Sequence, residues 1–373
     1  MQLIPLEVVR HQVHVGVPLP FSVRLADSTL LLARGQLVGS AGQMQSLFER
    51  GMFVDMAELK APPAALADVP AEQLPGLWTE AIDRVGRTLA SLPEDGLDEA
   101  LDEVALPLIG LIARDPDLAI FQVLRQHGSR HAQYGVNHSI HCAIAAFLTA
   151  QRLGWDAAAL GLAFKAAMTM NVSMLELQGQ LATQVAPLTP EQRELIRSHP
   201  LRSVEMLRLA GITDAAWLQA IAEHHETPVG SGYPAGVAAA SPLAALLHQS
   251  DVYTAKLSPR QSREGLTADA AARGLFASHQ GDPTAAALIK EFGLYPPGCF
   301  VRLASGETGI VVRRGSSAHT PVVAAMTSPR GVSLRTPVRR DTASPQYAIV
   351  AALSAGKATF DVGPELLSAL SCA

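Results

Sequence analysis

Histidine is the residue type in this chain best suited to chemistry. Eight of the twelve histidines fall between His127 and His248, about a third of the chain. Imidazole nitrogens ligate transition metals and move protons near neutral pH. His127, His131, Tyr134, His138 and His141 recur every three or four residues, so they share one face of a predicted helix. Over a predicted helix Ala215–Glu226, Trp217, Ile221, His224 and His225 form a stripe that carries both histidines inward. His199 follows Leu195 by four residues, on the apolar side of its helix, and Asp251 follows Leu247 by four on an apolar helix. A carboxylate there must be paired or metal-bound, because burying a lone charge is costly. Taken singly, His131, His141 and His248 read as hydrogen-bonded core residues. His138, His199, His224, His225 and Asp251, coming from four helices, form a candidate nitrogen/oxygen metal set. Spacing alone leaves open whether they meet.

These residues need helices to place them, and residues 116–292 are helical in period throughout. One helix start is sharply marked. Thr189 is a candidate N-cap, Pro190 takes the first helical position, and Gln192 completes a capping box. That helix is expected to end at His199, before Pro200. Residues 1–60 read as a small β-rich module built on FSVRLADSTLLLARGQLV, with a short helix over Met44–Arg50. Residues 61–115 open on Pro62-Pro63 and continue as an acidic, helical connector. From residue 293 to 373 the pattern returns to strands, with a hairpin about Ser305-Gly306 and further strands in PVVAAM and YAIVAAL. The expected fold class is therefore mainly α, flanked by small β-rich N- and C-terminal modules.

Composition narrows the function. The chain has 373 residues, 48% hydrophobic and 17% charged, which excludes a mainly disordered protein. A net charge of −5 argues against a polymeric nucleic acid as partner. Three scattered cysteines suit a reducing, cytoplasmic setting rather than a disulfide framework. No uninterrupted apolar stretch predicts a membrane span. There is no nucleophile elbow, P-loop or C-x-x-C motif.

The run from His224-His225-Glu226 through Gly230-Ser231-Gly232-Tyr233-Pro234 resembles the signature of HD-GYP domains, a branch of the HD phosphohydrolase superfamily. The likeness covers roughly residues 120–292. It implies a helical domain with bound metal ions that hydrolyses cyclic di-GMP. His138 in NHSIHCA matches the first metal-binding histidine, PLTPEQRELIRSHP delivers His199, and LLHQSDVYTAKLSPR carries Asp251. The resemblance thus implies His138, His199, His224, His225 and Asp251 as metal ligands. Gly232, Tyr233 and Pro234 are implied on the substrate side or in a docking surface, the alternative being a rigid turn over the histidine pair. Lys256 and Arg260 are placed to contact phosphate or to stand as solvated surface charges.

The departures bear on activity. At the positions of the family's His-Asp pair stand Thr169 and Met170, and at its lysine stands Ser173. Neither Thr169 nor Met170 can replace a bridging carboxylate. Two dications about 4 Å apart repel by roughly 17 kcal/mol at an effective dielectric near 20, and bridging anions offset that. The loss favours a single ion, iron or manganese, or none. The expected function is a degenerate HD-GYP protein of cyclic di-GMP signalling, either a weak metal-dependent phosphodiesterase or an inactive regulatory module binding a nucleotide or a signalling protein. The partner is then a cyclic dinucleotide or a signalling protein, with homodimer formation left open.

Overall fold

The computed structural model describes the chain except residues 1–2, 14, 16–18, 20, 35, 51, 56–65, 67–68, 126–132, 228, 239, 355–359, 361 and 373. His127 and His131 lie outside the described residues, so their place on the predicted face is not assigned.

The N-terminal module is a four-stranded antiparallel sheet in the order β1 (Leu3–Pro5), β4 (Phe53–Asp55), β2 (Val23–Arg24), β3 (Leu30–Leu32). Helix α1, Ala41–Glu49, starts three residues earlier than expected because Ser40 caps it through the amide of Gln43. The module closes on its own small core of Phe21, Val23, Val38, Leu47 and Val54.

A second, larger core is shared by all the later helices and by the C-terminal sheet. Helices α2 (Leu74–Ala90) and α3 (Leu97–Arg114), in the predicted connector, bury Trp78, Val85, Leu101 and Leu108 in it. Helix α4 (Pro116–Leu124) leads into α5 (Tyr134–Arg152), which is buried along almost its whole length. Small residues allow this: the run from Ala143 to Ala150 lets α6 (Ala157–Thr169) and α10 (Pro242–Leu257) approach closely. At the start of α5, a Cβ on Gly135 would stand 2.4 Å from the Leu175 carbonyl oxygen, so only glycine admits α7 (Leu175–Thr183) beside the turn that carries His138. Helices α8 (Pro190–Leu209), α9 (Ala215–Glu223), α11 (Ala268–Ser278) and α12 (Pro283–Phe292) complete the helical unit.

Among the described residues, one segment, Ala157–Thr183, is long and apolar enough to cross a membrane, and 56% of its apolar window is buried inside the protein.

The C-terminal sheet is antiparallel, in the order β8 (Ser333–Asp341), β7 (Val322–Thr327), β6 (Thr308–Arg313), β5 (Phe300–Leu303), β9 (Ile349–Leu353). Its β5–β6 hairpin turns at Ser305-Gly306, the expected place. Arg125 of the helical unit lies over the Phe300 ring, 4.7 Å from its centroid, and Arg314 pairs with both Asp117 and Glu291. Strand β8 and the terminal helix α13 (Pro364–Cys372) were not expected from the sequence.

Candidate metal centre

Helix α8 begins with the predicted capping box, Thr189 and Gln192 each bonding the other's backbone amide. It does not stop before Pro200. The helix runs on to Leu209 with Pro200 buried inside it. A proline in a helix leaves the carbonyl four residues earlier without its amide donor. That carbonyl is Ile196's, and the His199 ring takes the vacancy: Nδ1–H donates to it at 2.6 Å. The residue that looked like a stop therefore orients a histidine. Leu195 is exposed, so the expected apolar side of α8 is not the side that buries His199.

His224 is held in the same way at a helix end. Helix α9 closes at Glu223, earlier than the predicted Glu226, because the His224 ring rather than a further turn of backbone satisfies the Ile221 carbonyl, at 2.6 Å. Both rings have spent their Nδ1–H on a carbonyl, so each neutral ring presents a lone pair at Nε2. Those two Nε2 atoms face each other at 3.1 Å. Two facing lone pairs repel unless a cation stands with them. Burial holds His199, His224 and His225 neutral: it lowers the His199 pKa, drives His224 well below the usual histidine value with help from the neighbouring rings, and brings His225 down to about 3. Neutral imidazole is the form that ligates metal. Ligand atoms of His199, His224 and His225 all lie within 4.8 Å of one another.

A second group adjoins the first. His138 on α5 bonds Asp251 on α10, Nε2 to Oδ1 at 2.7 Å. Burial opposes charge on both. Even so, the mutual hydrogen bond and nearby charge, Cys142 included, hold His138 well above and Asp251 below their ordinary ranges. The Cys142 thiol, one turn after His138, stands 3.6 Å from its Nε2. His138, Cys142 and Asp251 again bring ligand atoms within 4.8 Å of one another. Asp251 lies close enough to His224 and His225 to act on them electrostatically, so the two groups share one pocket of charge.

The loop from Gly230 to Val237 lies against this pocket. Tyr233 stacks on His225 with ring centroids 4.6 Å apart. A Cβ on Gly232 would stand 2.4 Å from the His225 carbonyl oxygen and 2.5 Å from Glu226 Cα, so glycine alone fits there. Pro234 follows Tyr233 through a cis bond. The loop is tied down by Glu226, a buried carboxylate that accepts from the amides of Ala235, Gly236 and Val237 at 2.7, 3.0 and 3.1 Å. Two cations flank the rings: Arg197 lies 5.8 Å from the Tyr233 centroid, and Arg260 lies equally far from that of Tyr134, whose ring stacks on His138. Lys256 points elsewhere, towards Gly274 of α11.

Thr169 and Met170, expected at the positions of the family's His-Asp pair, are absorbed by the fold. Thr169 Oγ1 donates to the Lys165 carbonyl and accepts from the Trp217 indole at 3.1 Å, while Met170 is fully buried in the core. Ser173 donates to the His199 carbonyl at 2.9 Å, so it braces a histidine.

Sequence reasoning missed Cys142, Glu226 and Arg197. An isolated cysteine at i+4 reads as a small core hydrophobe, and a carboxylate that serves backbone amides leaves no spacing signal. Arg197, two residues before His199, was legible by position alone. Of the histidines read as core residues, His141 is buried, and His248 donates to the His224 carbonyl at 2.8 Å.

If Pro200 orients His199 by vacating a carbonyl, Pro200→Ala should weaken metal binding by about 10–100-fold, the usual cost of losing an outer-shell orienting bond. Stability without metal should not fall, because a helix-interior proline is itself unfavourable. Metal titration beside thermal melting checks the opposed signs; unchanged affinity would refute the orienting role.

The donor chemistry fits a borderline transition metal: neutral imidazoles, a carboxylate and a thiol. An HD domain profile matches residues 122–284. Over 170 residues the chain is 31% identical to the cyclic di-GMP phosphodiesterase PA4108 of Pseudomonas aeruginosa, a match covering 44% of this chain and 41% of that relative. It thus spans about two fifths of that protein's length. In overall shape it is similar to Bd1817, an HDG"Y"P protein from Bdellovibrio bacteriovorus, at a TM-score of 0.48 and 16% identity, over 77% of this chain and 97% of that one. The profile falls on the helices that carry these histidines, so residues 122–284 are an HD domain.

Proposed function

We propose that this chain is a degenerate HD-GYP protein of cyclic di-GMP signalling that binds a transition metal and hydrolyses the cyclic dinucleotide slowly. The observation that carries this reading is the pair of Nε2 atoms at 3.1 Å, each made a lone-pair donor by the bond at its own Nδ1. His199, His224 and His225 would hold one ion, iron or manganese, with Asp251 and His138 beside it. Such an ion supplies Lewis-acid stabilisation of charge on a phosphate. The protein's own residues do the rest. Arg197, over the half-buried Tyr233 ring, and Arg260, over the Tyr134 ring, are the cations placed to meet phosphate, and Gly232 keeps the loop close to His225. Residues 116–292 form the working unit in this reading, with the two β modules as flanks. The cytoplasm is the proposed location, consistent with free thiols at Cys142 and Cys299.

A second reading has its own support. Thr169 and Met170 are committed to the Trp217 contact and to the core, as in a site given over to binding without turnover. One sample separates the two. The full chain, loaded with iron or manganese, should bind cyclic di-GMP and release pGpG or GMP. Binding with no turnover under any metal would favour the regulatory module, and absence of both would overturn both readings.

A further inference from the structure

We propose that Cys142 is a metal ligand, and that with His138 and Asp251 it forms a second ion position. This rests on the reading above that the histidine cluster holds metal, and it adds a donor absent from the landmarks that identify the family.

The argument begins on one helix face. His138 and Cys142 are four residues apart on α5, so their side chains leave the helix on the same side, one turn apart. Asp251 meets them from α10. Around a tetrahedral ion with bonds of about 2.0–2.3 Å, nitrogen and sulfur donors stand about 3.6 Å apart, and nitrogen and oxygen donors about 3.4 Å. Sγ lies 3.6 Å from Nε2, the separation such an ion requires, and 3.9 Å from Nδ1, so the thiol stands beside the ring and must turn towards the Nε2 lone pair to share an ion with it. The Nε2–Oδ1 distance of 2.7 Å is that of a hydrogen bond, and it opens by about 0.7 Å when an ion takes the proton's place. The structure shows the closed, hydrogen-bonded form, and ion binding would open it.

The surroundings of the sulfur point the same way. Cys142 is fully buried, yet its sulfur touches no purely apolar pocket: it lies 3.2 Å from Thr254 Oγ1 as well as beside the imidazole. The Thr254 hydroxyl donates to the Ser250 carbonyl at 2.8 Å, which leaves a lone pair for the thiol proton. Turning that hydroxyl hydrogen towards the sulfur would stabilise a thiolate, the outer-shell role that orients metal ligands. A valine or alanine would fill the same space without these polar partners.

The charge balance explains what the cysteine replaces. The histidine trio offers an ion no anion of its own. A thiolate and a carboxylate together neutralise one dication and so offset the repulsion that Thr169 and Met170 leave unscreened. The mixed nitrogen, sulfur and oxygen set selects zinc, cobalt or iron over manganese or magnesium.

Cobalt(II) tests this on the whole, metal-stripped chain, because cobalt bonded to thiolate gives a sulfur-to-metal charge-transfer band in the near ultraviolet. The wild type should show that band and bind two ions per chain. Cys142→Ser should lose the band and one ion, Cys142→Asp should lose the band while keeping the second ion, and Cys299→Ser should leave both unchanged. Cobalt bound without the band, or a band that survives in Cys142→Ser, overturns the assignment of Cys142 alone. No cobalt bound at all overturns the underlying metal reading with it. The wild-type spectrum needs no variant to fold, so the proposal stays testable even if both Cys142 variants aggregate.

Discussion

Adding a saturating transition metal to the metal-stripped chain should raise the melting temperature of its helical unit by roughly 8–16 °C. An ion present at about 1,000 times its Kd stabilises the folded state by about 4.1 kcal/mol, and a unit of about 150–250 residues gains about 2–4 °C per kcal/mol. The gain should be concentrated at the facing histidines, since the ion both bonds and separates the two Nε2 atoms now 3.1 Å apart. His224→Ala should therefore abolish most of it. If the Kd rises about 1,000-fold, the same ion concentration yields only about 1–2 °C. The variant also removes the partner of the Ile221 carbonyl, costing about 1–3 kcal/mol without metal. The informative quantity is thus the metal-induced shift, read by calorimetry with and without chelator, and not the melting temperature alone. A full shift in His224→Ala would remove this residue from the centre.

Removing the Glu226 carboxylate should free the loop that carries Tyr233. Three backbone amides converge on that one side chain, which is buried. Each donor left unpaired inside the protein costs about 1–3 kcal/mol. The loop will open to water before it bears the whole sum. Glu226→Ala should then cost about 3 kcal/mol locally, which corresponds to about 100-fold faster hydrogen exchange at Ala235, Gly236 and Val237. Glu226→Gln keeps the acceptor oxygen that serves Ala235 and Gly236, and should fall between. Exchange unchanged in Glu226→Ala would mean that the loop is held by its own turns and not by this carboxylate.

Much of the site was legible because its signals are local. The Thr189–Gln192 box set the start of α8, and the spacing of His138 and His224 marked positions that are buried, whereas His199 is buried although the Leu195 spacing that pointed to it falls on an exposed residue. What misled was proline and helix ends. Pro200 carries a stop signal in any single-sequence reading, yet the ring of the residue just before it, His199, repairs the bond it breaks. His224 and His225 lie in a turn rather than in α9, because an imidazole can cap a carbonyl as well as an amide can. Strand β8 was hidden by its polar, proline-bearing sequence SLRTPVRRD, which suits a half-exposed sheet edge and shows no clean alternation. Cys142 and Glu226 act through tertiary neighbours that no spacing rule encodes.

The histidine surplus thus resolves into two adjoining groups around Asp251, one of three imidazoles and one of mixed donors. Elemental analysis of the full chain, purified without added metal, tests that account most directly. It predicts at least one transition-metal ion per chain in the wild type, falling by one in His199→Ala and in His224→Ala. A stable, folded wild type that carries no metal and takes none up on dialysis would contradict it.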